Sequence, residues 1–443
     1  MHTILIRNPY VILTHNDNVK VVRKSILIEN GIISKIGDLS ELRKENVDLV
    51  LNAENMIAIP GFVNVHTHVP MTLFRGIADD YDTNDWLNII WPLEKHLTKE
   101  DIYYCALLGI IEMVKSGITC FSDHYFFEEV VINAALKVGV RIFSCESVID
   151  ADNGPVNGDP LSRVERLVKR YSNNDMVKVG ISPHSIYSVS LDKLKEVSNF
   201  ANDYDLDVHI HFAETYKEVE YSLKVYGKRP IEVLKDAGLL NNRLMVAHAI
   251  FVNDYDIELM RKYHVKVAYI PTIAMKHGLG IPPVFKMVRE NILVGIGTDG
   301  PASNNNLDMI EEMRIGLLLQ RLATKNPRIM RGRDIFRMAT INGAKILRFH
   351  NLGEIKEGYK ADLVLIKRSI RMIPFHNILS HIIFSITQED IDTVIVNGRV
   401  IVKNRKILTV NEEEVVKKVQ QVFQKLLRRV GLESYLEKPP IGS

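Results

Sequence analysis

The sequence predicts an α/β protein, namely a (β/α)8 TIM barrel with a small β-sandwich domain built from both chain ends. Between residues 59 and 350, eight short apolar runs alternate with amphipathic helical stretches, while both ends are rich in short β-type segments. The 443 residues are too many for one small core and suit a barrel with an accessory domain. We expect sandwich strands in 1–58, the barrel in 59–350, and sandwich strands plus a terminal helix in 351–443.

The first part of the chain is predicted to form short strands with little helix. The segment 29–31, Glu-Asn-Gly, favours a hairpin because asparagine and glycine tolerate the positive φ angles of a two-residue turn. A single helix is expected near 39–45. The predicted strands are 3–6, 10–14, 19–28, 32–36, 48–52 and 56–59.

The barrel is predicted from the alternation that follows Pro60 and Gly61. Helical periodicity is present in 102–115, 128–138, 191–204 and 257–263. The predicted barrel strands are 62–68, 119–124, 141–148, 177–184, 207–214, 244–250, 265–272 and 292–299. Since the strands of such a barrel are parallel, functional side chains are expected at their C-terminal ends.

The last part of the chain returns to β character. Segments 358–366 and 392–399 are predicted to form a strand and a hairpin, and a helix is expected over about 412–430. Their turn chemistry resembles that of the first 58 residues. We therefore expect both ends of the chain to pair in one β-sandwich.

The composition limits the partners of the protein. A formal net charge of +2, without a Lys/Arg block or an aromatic-interleaved basic patch, argues against nucleic acid. No apolar segment approaches the length of a membrane span, and no signal-peptide pattern is present, so no membrane partner is expected. The three cysteines, Cys105, Cys120 and Cys145, are widely spaced, which suits the reducing cytoplasm and excludes a cysteine-based zinc site.

Two histidines, His66 and His68, end the first predicted barrel strand. With 15 histidines in the chain, one such pair arises by chance with roughly even probability, so the pair alone is weak evidence. However, His211, His248 and Asp299 stand at the ends of the fifth, sixth and eighth strands, which a barrel brings together. This nitrogen and oxygen donor set favours zinc, or ferrous iron, over calcium or magnesium.

One divalent metal is expected rather than two. A second cation would need a bridging anionic ligand, often a modified lysine at the end of the fourth strand. Here that strand ends in Ser182, Pro183 and His184, and Lys178 stands at its other end. The sequence therefore predicts a mononuclear site.

Glu214 lies three residues beyond His211, where the chain is expected to leave the strand. A carboxylate beside a metal-activated water acts as a proton shuttle, taking a proton from the water and delivering it to the leaving group. The alternative is an exposed glutamate that starts the next helix. His209 shares the face of His211 one layer deeper, and we expect it to support the site or line the core rather than bind the metal.

These residues belong to motifs that resemble the amidohydrolase superfamily, in particular its branch of 5'-methylthioadenosine/S-adenosylhomocysteine deaminases and triazine hydrolases. The resemblance covers nearly the whole chain, and the order and spacing of the motifs are highly specific. The motifs are NVHTHVPM at 64–71, RG at 75–76, DWL at 85–87, WPLE at 91–94, SPHS at 182–185, HIHFAET at 209–215, AH at 247–248 and GTDGPASNN at 297–305.

The resemblance implies a role for each matching residue. His66, His68, His211 and Asp299 match the metal ligands, and Asp299 also matches the base that activates water. The remaining matches are Glu214 to the proton shuttle, His248 to the histidine at the attacked centre, Glu94 to the carboxylate that binds ribose hydroxyls, His184 to a substrate-binding histidine and Trp86 to an aromatic wall. A homo-oligomer is implied as well.

Two departures from the family pattern concern the substrate. Where relatives that act on S-adenosylhomocysteine have a first arginine after the third strand, this chain has Glu146, which leaves Arg163 as the candidate for the second. After the seventh strand, the usual His-Asn-Pro-x-Ser-Asn segment is replaced by Tyr-Ile-Pro-Thr-Ile-Ala at 269–274. Both changes affect the shape and charge of the substrate site and leave the metal site intact.

The sequence thus predicts a metal-dependent deaminase of a purine nucleoside, preferably 5'-methylthioadenosine, 5'-deoxyadenosine or adenosine, with S-adenosylhomocysteine handled less well. The closest alternative is a related hydrolase of another ring, such as guanine, a pterin or a triazine. A more distant alternative is a non-catalytic barrel used for binding.

Overall fold

The computed structural model of the chain describes residues 3–15, 18–42, 46–150 and 158–432. Its centre is an eight-stranded parallel sheet in which each strand pairs with its neighbours in sequence. The strands are β8 (Phe62–Thr67), β9 (Ile118–Tyr125), β10 (Arg141–Val148), β11 (Val177–Pro183), β12 (Val208–Phe212), β13 (Leu244–His248), β14 (Lys266–Tyr269) and β15 (Val294–Ile296). The predicted (β/α)8 fold is confirmed.

The barrel closes between its last and first strands. The backbone N–H of Asp299, just beyond β15, donates to the carbonyl of His66 in β8 at 3.0 Å. Gly297 permits this approach, because a Cβ atom there would lie 2.8 Å from the Cβ of His66. The closing contact therefore lies at the C-terminal ends of the strands, beside the predicted metal site.

The β-sandwich is formed by the remaining strands, from both ends of the chain. One sheet has the order β5-β4-β1-β6 and the other β19-β18-β17-β16-β7-β2-β3. Their strands are β1 (Thr3–Arg7), β2 (Tyr10–His15), β3 (Asn18–Arg23), β4 (Ser25–Glu29), β5 (Ile32–Gly37), β6 (Leu49–Asn52), β7 (Met56–Pro60), β16 (Leu363–Lys367), β17 (Ile391–Val396), β18 (Arg399–Lys403) and β19 (Lys406–Ile407). As predicted, the two ends are joined: β7 pairs with β16 in antiparallel fashion.

Turn chemistry shapes the sandwich hairpins. Asn30 and Gly31 take φ angles of 51° and 82° between β4 and β5, and Asn397 and Gly398 take 50° and 70° between β17 and β18. These positive angles match the right-handed twist of the paired strands. The apolar faces of the two sheets, including Ile4, Ile28 and Leu365, form a buried core.

Two predicted elements of the first part differ from the structure. The predicted strand 19–28 is split into β3 and β4, which pair with different sheets on either side of Lys24. The predicted helix at 39–45 is reduced to one turn, Leu39–Glu41, and residues 43–45 lie outside the described part of the chain.

The helices surround the barrel and close the chain. They are α1 (Thr83–Glu94), α2 (Lys99–Lys115), α3 (Glu128–Val138), α4 (Pro160–Tyr171), α5 (Leu191–Asp203), α6 (Tyr216–Tyr226), α7 (Pro230–Asp236), α8 (Asp254–Lys262), α9 (Pro271–Lys276), α10 (Val284–Arg289), α11 (Pro301–Asn304), α12 (Met309–Thr324), α13 (Gly332–Arg337), α14 (Gly343–Ile346), α15 (Ile378–Phe384) and α16 (Glu412–Arg429). Several begin at a side-chain cap, such as Thr98 of α2 and Thr215 of α6. Among the described helices, none is long and apolar enough to cross a membrane.

Candidate active site

Four side chains converge at the C-terminal ends of β8, β12 and β15. The Nε2 atoms of His66 and His68 each lie 3.1 Å from Oδ1 of Asp299, and Nε2 of His211 lies 3.3 Å from Nε2 of His68. Ligand bonds of about 2.0–2.1 Å in a tetrahedral zinc site separate neighbouring ligand atoms by about 3.3 Å. These three spacings are therefore close to those that a single tetrahedral metal ion requires, and ring nitrogens of His66, His68 and His211, one from each residue, also lie within 4.8 Å of one another.

The other nitrogen of each histidine ring has a fixed partner. In His66, His68 and His211 the Nδ1 atom is the one that has a hydrogen-bond partner. With the proton on Nδ1, the lone pair of Nε2 is free to bind a metal, as is usual in metal-binding histidines. The bonds run from His68 to the carbonyl of His124 (2.6 Å), from His211 to the carbonyl of His184 (2.9 Å) and from His66 to Nε2 of His209 (2.9 Å). His209 thus supports a candidate ligand from the deeper layer in which the sequence places it.

The charges of the site favour a cation. Burial lowers the pKa of His66 to about 3, so this imidazole is neutral. Although burial opposes it, hydrogen bonding to His66 and His68 holds the pKa of Asp299 well below its usual range. The second carboxylate oxygen of Asp299 accepts a hydrogen bond from Ser303 Oγ at 2.9 Å. Although burial opposes it, hydrogen bonding to Asp299 raises the pKa of His68 to about 9, so a metal ion would replace the proton on this imidazole. Imidazole nitrogens and one carboxylate oxygen are donors suited to zinc.

Glu214 lies beside this cluster and not on the surface. It follows β12, is buried, and has Oε1 3.9 Å from Nε2 of His248, the last residue of β13. Burial, together with the charge of Asp299, raises the pKa of Glu214 to about 8, and burial lowers that of His248 to about 4. Within the described residues, Nδ1 of His248 has no hydrogen-bond partner. A carboxyl group of raised pKa beside a metal site can both accept and donate a proton near neutral pH.

A pocket opens next to the cluster and collects most of the other predicted residues. Tyr125 donates a 2.6 Å hydrogen bond to Oε1 of the buried Glu94, whose pKa burial raises to about 7. Trp86 packs edge-on against His277. The described lining residues are His68, Met71, Thr83, Trp86, Leu87, Trp91, Glu94, His124, Tyr125, Phe126, Ser147, His184, Tyr187, His211, Glu214, His248, Ile273, His277, Asp299 and Ser303.

Arg163 is the predicted substrate-binding residue that the structure does not bring to the pocket. Its Nε donates a 2.6 Å hydrogen bond to Oε1 of Glu146, in an ion pair that is almost fully buried. The Glu146 carboxylate also accepts the backbone N–H groups of Phe127 and Glu128. The buried Glu146 carboxylate needs a partner and takes up the Arg163 side chain, so a role of Arg163 in substrate binding has no support from this geometry and stays a prediction. The same pairing offsets the expected repulsion between Glu146 and a substrate carboxylate.

The segment 269–274 contributes one side chain to the described pocket lining, the apolar Ile273. Tyr269 ends β14 and turns away, donating to the carbonyl of Gly316 at 3.1 Å. Pro271 begins α9, and Ile273 of that helix lines the pocket. Lys178, considered as a bridging ligand, is exposed at the far end of β11, in agreement with a mononuclear site.

His124 is a pocket residue that the sequence analysis missed. Its Nδ1 lies 2.7 Å from Ser182 Oγ, while its buried Nε2 has no partner among the described residues. It also groups with His66 and His209 as a set of possible metal-ligand atoms. The signal was available, because His124 ends a predicted strand as His211 and His248 do. Tyr125, Ser303 and His277 were missed too, and no comparable sequence pattern indicates them.

Comparison with known proteins identifies the class. Residues 57–401 match the Amidohydrolase family, and the chain belongs to this family. It is 42% identical over 412 residues to the 5-methylthioadenosine/S-adenosylhomocysteine deaminase of Pyrococcus horikoshii, covering 92% of this chain and 97% of the relative. It is 39% identical to the 5'-deoxyadenosine deaminase of Methanobrevibacter smithii over 431 residues, 96% of this chain and 98% of the relative.

A solved structure supports the same class. The crystal structure of an adenosine deaminase from Xanthomonas campestris with bound zinc superimposes with a TM-score of 0.92 at 29% identity, covering 96% of this chain and 98% of that one. The predicted family is confirmed.

Proposed function

We propose that this protein is a metal-dependent hydrolase that deaminates adenosine-type nucleosides, releasing ammonia and the corresponding inosine. The expected substrates are 5'-methylthioadenosine, 5'-deoxyadenosine and adenosine, with S-adenosylhomocysteine handled less well. The observation that carries the proposal is one pocket holding a zinc-type cluster, the buried Glu214 and a second buried carboxylate, Glu94. The deaminases that are about 40% identical support it.

His66, His68, His211 and Asp299 would hold one divalent metal, of which zinc suits the donors and their spacing best. When bound, such an ion lowers the pKa of a coordinated water to about 7. Asp299 would keep the water oriented, and its second oxygen is held by Ser303. Of the two water protons, Glu214 takes the first, and Asp299 is the base for the second, which leaves the added hydroxyl group and ends on N1 of the purine.

Glu214 moves the proton. It accepts a proton from the attacking water at a carboxylate oxygen and donates it to the nitrogen leaving C6 of the purine. A C–O bond forms as the C–N bond breaks, and ammonia leaves as a neutral molecule. His248, which faces Glu214, lies where it can hydrogen-bond to the oxygen that adds to C6.

Glu94, His184 and Trp86 bind the substrate. A carboxylate accepts two hydroxyl protons at once, so Glu94 suits the 2',3'-diol of ribose. The Glu94 oxygen bonded to Tyr125 is held in place by that bond. His184 packs against Trp91 beside it, and Trp86 forms an aromatic wall of the same pocket.

The end of the pocket that receives the 5' substituent is proposed to favour uncharged groups. None of the described lining residues is a lysine or an arginine, and Arg163 is paired with Glu146. A carboxylate on the substrate would therefore lose its hydration on binding without gaining a cationic partner in the protein.

The decisive experiment combines metal analysis with an ammonia-release screen. We expect one zinc or iron per chain and ammonia from the adenosines, with kcat/KM for 5'-methylthioadenosine above that for S-adenosylhomocysteine. Guanine, pterins and triazines are the comparison substrates for the alternative hydrolases. Absence of ammonia from every adenosine would disprove the substrate assignment, and a metal-free folded protein would favour the non-catalytic alternative.

Replacement of the proton shuttle tests the mechanism. Glu214→Gln is expected to lower kcat for ammonia release by about 10²–10⁴-fold, because the amide cannot accept and deliver the proton. Metal content should stay at the wild-type level. Glu220→Gln, on the exposed side of α6, is the matched control and should retain full activity. Equal rates for the two variants would remove Glu214 from the mechanism.

We also propose that the enzyme works in the cytoplasm as a homo-oligomer. All three cysteines are buried free thiols, which suits a reducing compartment. Large apolar side chains left exposed, such as Leu322 and Ile370, support association. Light scattering on the purified protein measures the mass of the particle, and a monomer would contradict the proposal.

A further inference from the structure

Glu218 is a buried carboxylate that does not line the pocket but lies directly behind Glu214. It belongs to the first turn of α6 and is 2% exposed. Its Oε1 accepts the backbone N–H of Ala213 at 2.9 Å, and its Oε2 accepts the backbone N–H of Glu214 at 3.0 Å. One side chain therefore holds two consecutive peptide groups at the point where the chain leaves β12.

This arrangement differs from ordinary helix capping. In a capping box, the acidic side chain at the third helical position returns to the N–H of the cap residue. Here Thr215 is the cap and accepts the N–H of Glu218 at 3.1 Å, but the Glu218 carboxylate reaches past it to the two preceding residues. The bonds thus fix the strand exit that carries Glu214, in addition to the start of α6.

The turn that Glu218 holds has an unusual backbone conformation and is hydrogen-bonded to the turn that follows His248. Ala213 has a φ angle of 47°, in the left-handed region that non-glycine residues seldom adopt. Its carbonyl accepts the N–H groups of Ile250 and Phe251 at 3.0 and 2.8 Å. These residues follow His248, so the turn held by Glu218 is hydrogen-bonded to the turn that leaves β13.

We propose that Glu218 is a positioning residue for proton delivery: by holding the Ala213–Glu214 turn, it keeps the Glu214 carboxyl group directed into the pocket. This inference rests on the proposed deaminase function. The side-chain hydrogen bonds of Glu218 reach neither the candidate metal ligands nor the other pocket residues. A substitution of Glu218 should therefore act on the position of the Ala213–Glu214 turn. A displacement of about 1 Å at a reacting group can cost on the order of 10²-fold in rate.

The test is Glu218→Gln, which keeps the size of the side chain. The amide group supplies a single acceptor and directs its own N–H atoms toward a backbone donor, so one of the two bonds is lost. We expect kcat for ammonia release from 5'-methylthioadenosine to fall by about 10²-fold. KM should stay within about threefold, because Glu94 and His184 are unchanged, and metal content should match that of the wild type.

A second substrate distinguishes a positioning role of Glu218 from a general loss of protein stability. On 6-chloropurine riboside the leaving group is chloride, which departs as an anion and needs no proton from Glu214. The ratio of the rate of ammonia release to the rate of chloride release does not depend on the fraction of the sample that is folded, because both rates scale with that fraction. We expect the ratio to fall at least tenfold in Glu218→Gln, and Glu218→Asp, which withdraws the carboxylate by one methylene, provides the same measurement if the glutamine variant does not fold.

The control is Asp101→Asn. Asp101 is likewise a buried acidic residue in the first turn of a helix, where it forms an ordinary capping box by accepting the N–H of Thr98 at 2.9 Å and pairs with Arg429. Because it lies away from the pocket, its variant should keep the wild-type ratio. An unchanged ratio in the Glu218 variants would overturn the inference. Failure of the wild-type enzyme to release ammonia from any adenosine would instead overturn the proposed function, so the two failures are distinguishable.

Discussion

At the scale of single residues, Glu94 illustrates how burial sets the chemistry of a binding group. Its carboxyl group lies in the pocket wall with Tyr125 as its protein donor. Burial raises its pKa to about 7, although the Tyr125 bond acts in the opposite direction. The ionised form accepts two hydroxyl protons, whereas the protonated form loses acceptor capacity. Substrate binding should therefore depend on pH near neutrality.

We expect KM for adenosine-type substrates to rise as pH falls through about 7, since Glu94 becomes protonated on that side of its pKa. The measurement is KM from pH 5.5 to 8.5 for adenosine and for 2',3'-dideoxyadenosine, which lacks the diol. Glu94→Gln should raise KM for adenosine at pH 8 and flatten its pH dependence. A pH profile that is the same for both nucleosides would contradict the role of Glu94 in reading the diol.

The residues that could be predicted are those marked by strand position. His66, His68, His211, His248 and Asp299 each end a predicted strand, and the barrel brings them together. Arg163 could not be assigned in this way, because its partner Glu146 is 17 positions away on another element and sequence periodicity carries no information on such pairs. Their roles in catalysis stay predictions until the variants are measured.

At the scale of elements, six of the eight barrel strands are shorter than their apolar patterns. The predicted strand 292–299 is β15, Val294–Ile296, and Asp299 stands beyond it with a φ angle of 61°. Periodicity identifies every barrel strand but not its end, because apolar residues continue into buried loops at the pocket. The proposed ligands thus lie on β8 and β12 and on the turns after β8 and β15, and a bound metal would join these elements.

Removal of the metal should lower the thermal stability of the protein together with its activity. Because a metal that binds only the folded state stabilises it by mass action, free zinc at 1,000 times its Kd contributes about 4 kcal/mol. Chelation followed by differential scanning calorimetry measures the shift, and added zinc should restore it. His211→Asn should abolish the zinc-dependent shift, while His350→Asn, at an exposed position, should retain it.

At the scale of the whole molecule, a buried ion pair joins the barrel to the sandwich. Arg141, the first residue of β10, donates through Nε and Nη2 to both oxygens of Asp362 at 2.9 and 3.0 Å, and also to Asn397 at 3.0 Å. We propose that the chain divides into 1–58, 59–350 and 351–443, as the sequence predicts. The first boundary falls within β7, which shows how closely the two parts are joined.

Breaking this pair should destabilise the protein strongly. Asp362→Ala leaves a buried guanidinium without its partner, at an expected cost of about 3–5 kcal/mol. Removing both charges in Arg141→Met/Asp362→Leu should recover a large part of the loss. Urea unfolding gives the comparison, with Glu196→Ala at an exposed pair with Lys193 as the control, expected to change stability by no more than about 1 kcal/mol.

The closing hydrogen bond between Asp299 and His66 also sets the order of events during synthesis. These two proposed ligands are 233 positions apart, so the His66–His68 pair leaves the ribosome long before Asp299 is made. At about 5–20 residues per second, the interval is on the order of 10–50 s. During this time only the histidines of the proposed ligand set have been made. Metal uptake thus reports completed closure of the barrel, and pulse-labelled chains released before residue 299 should emerge without a retained ion.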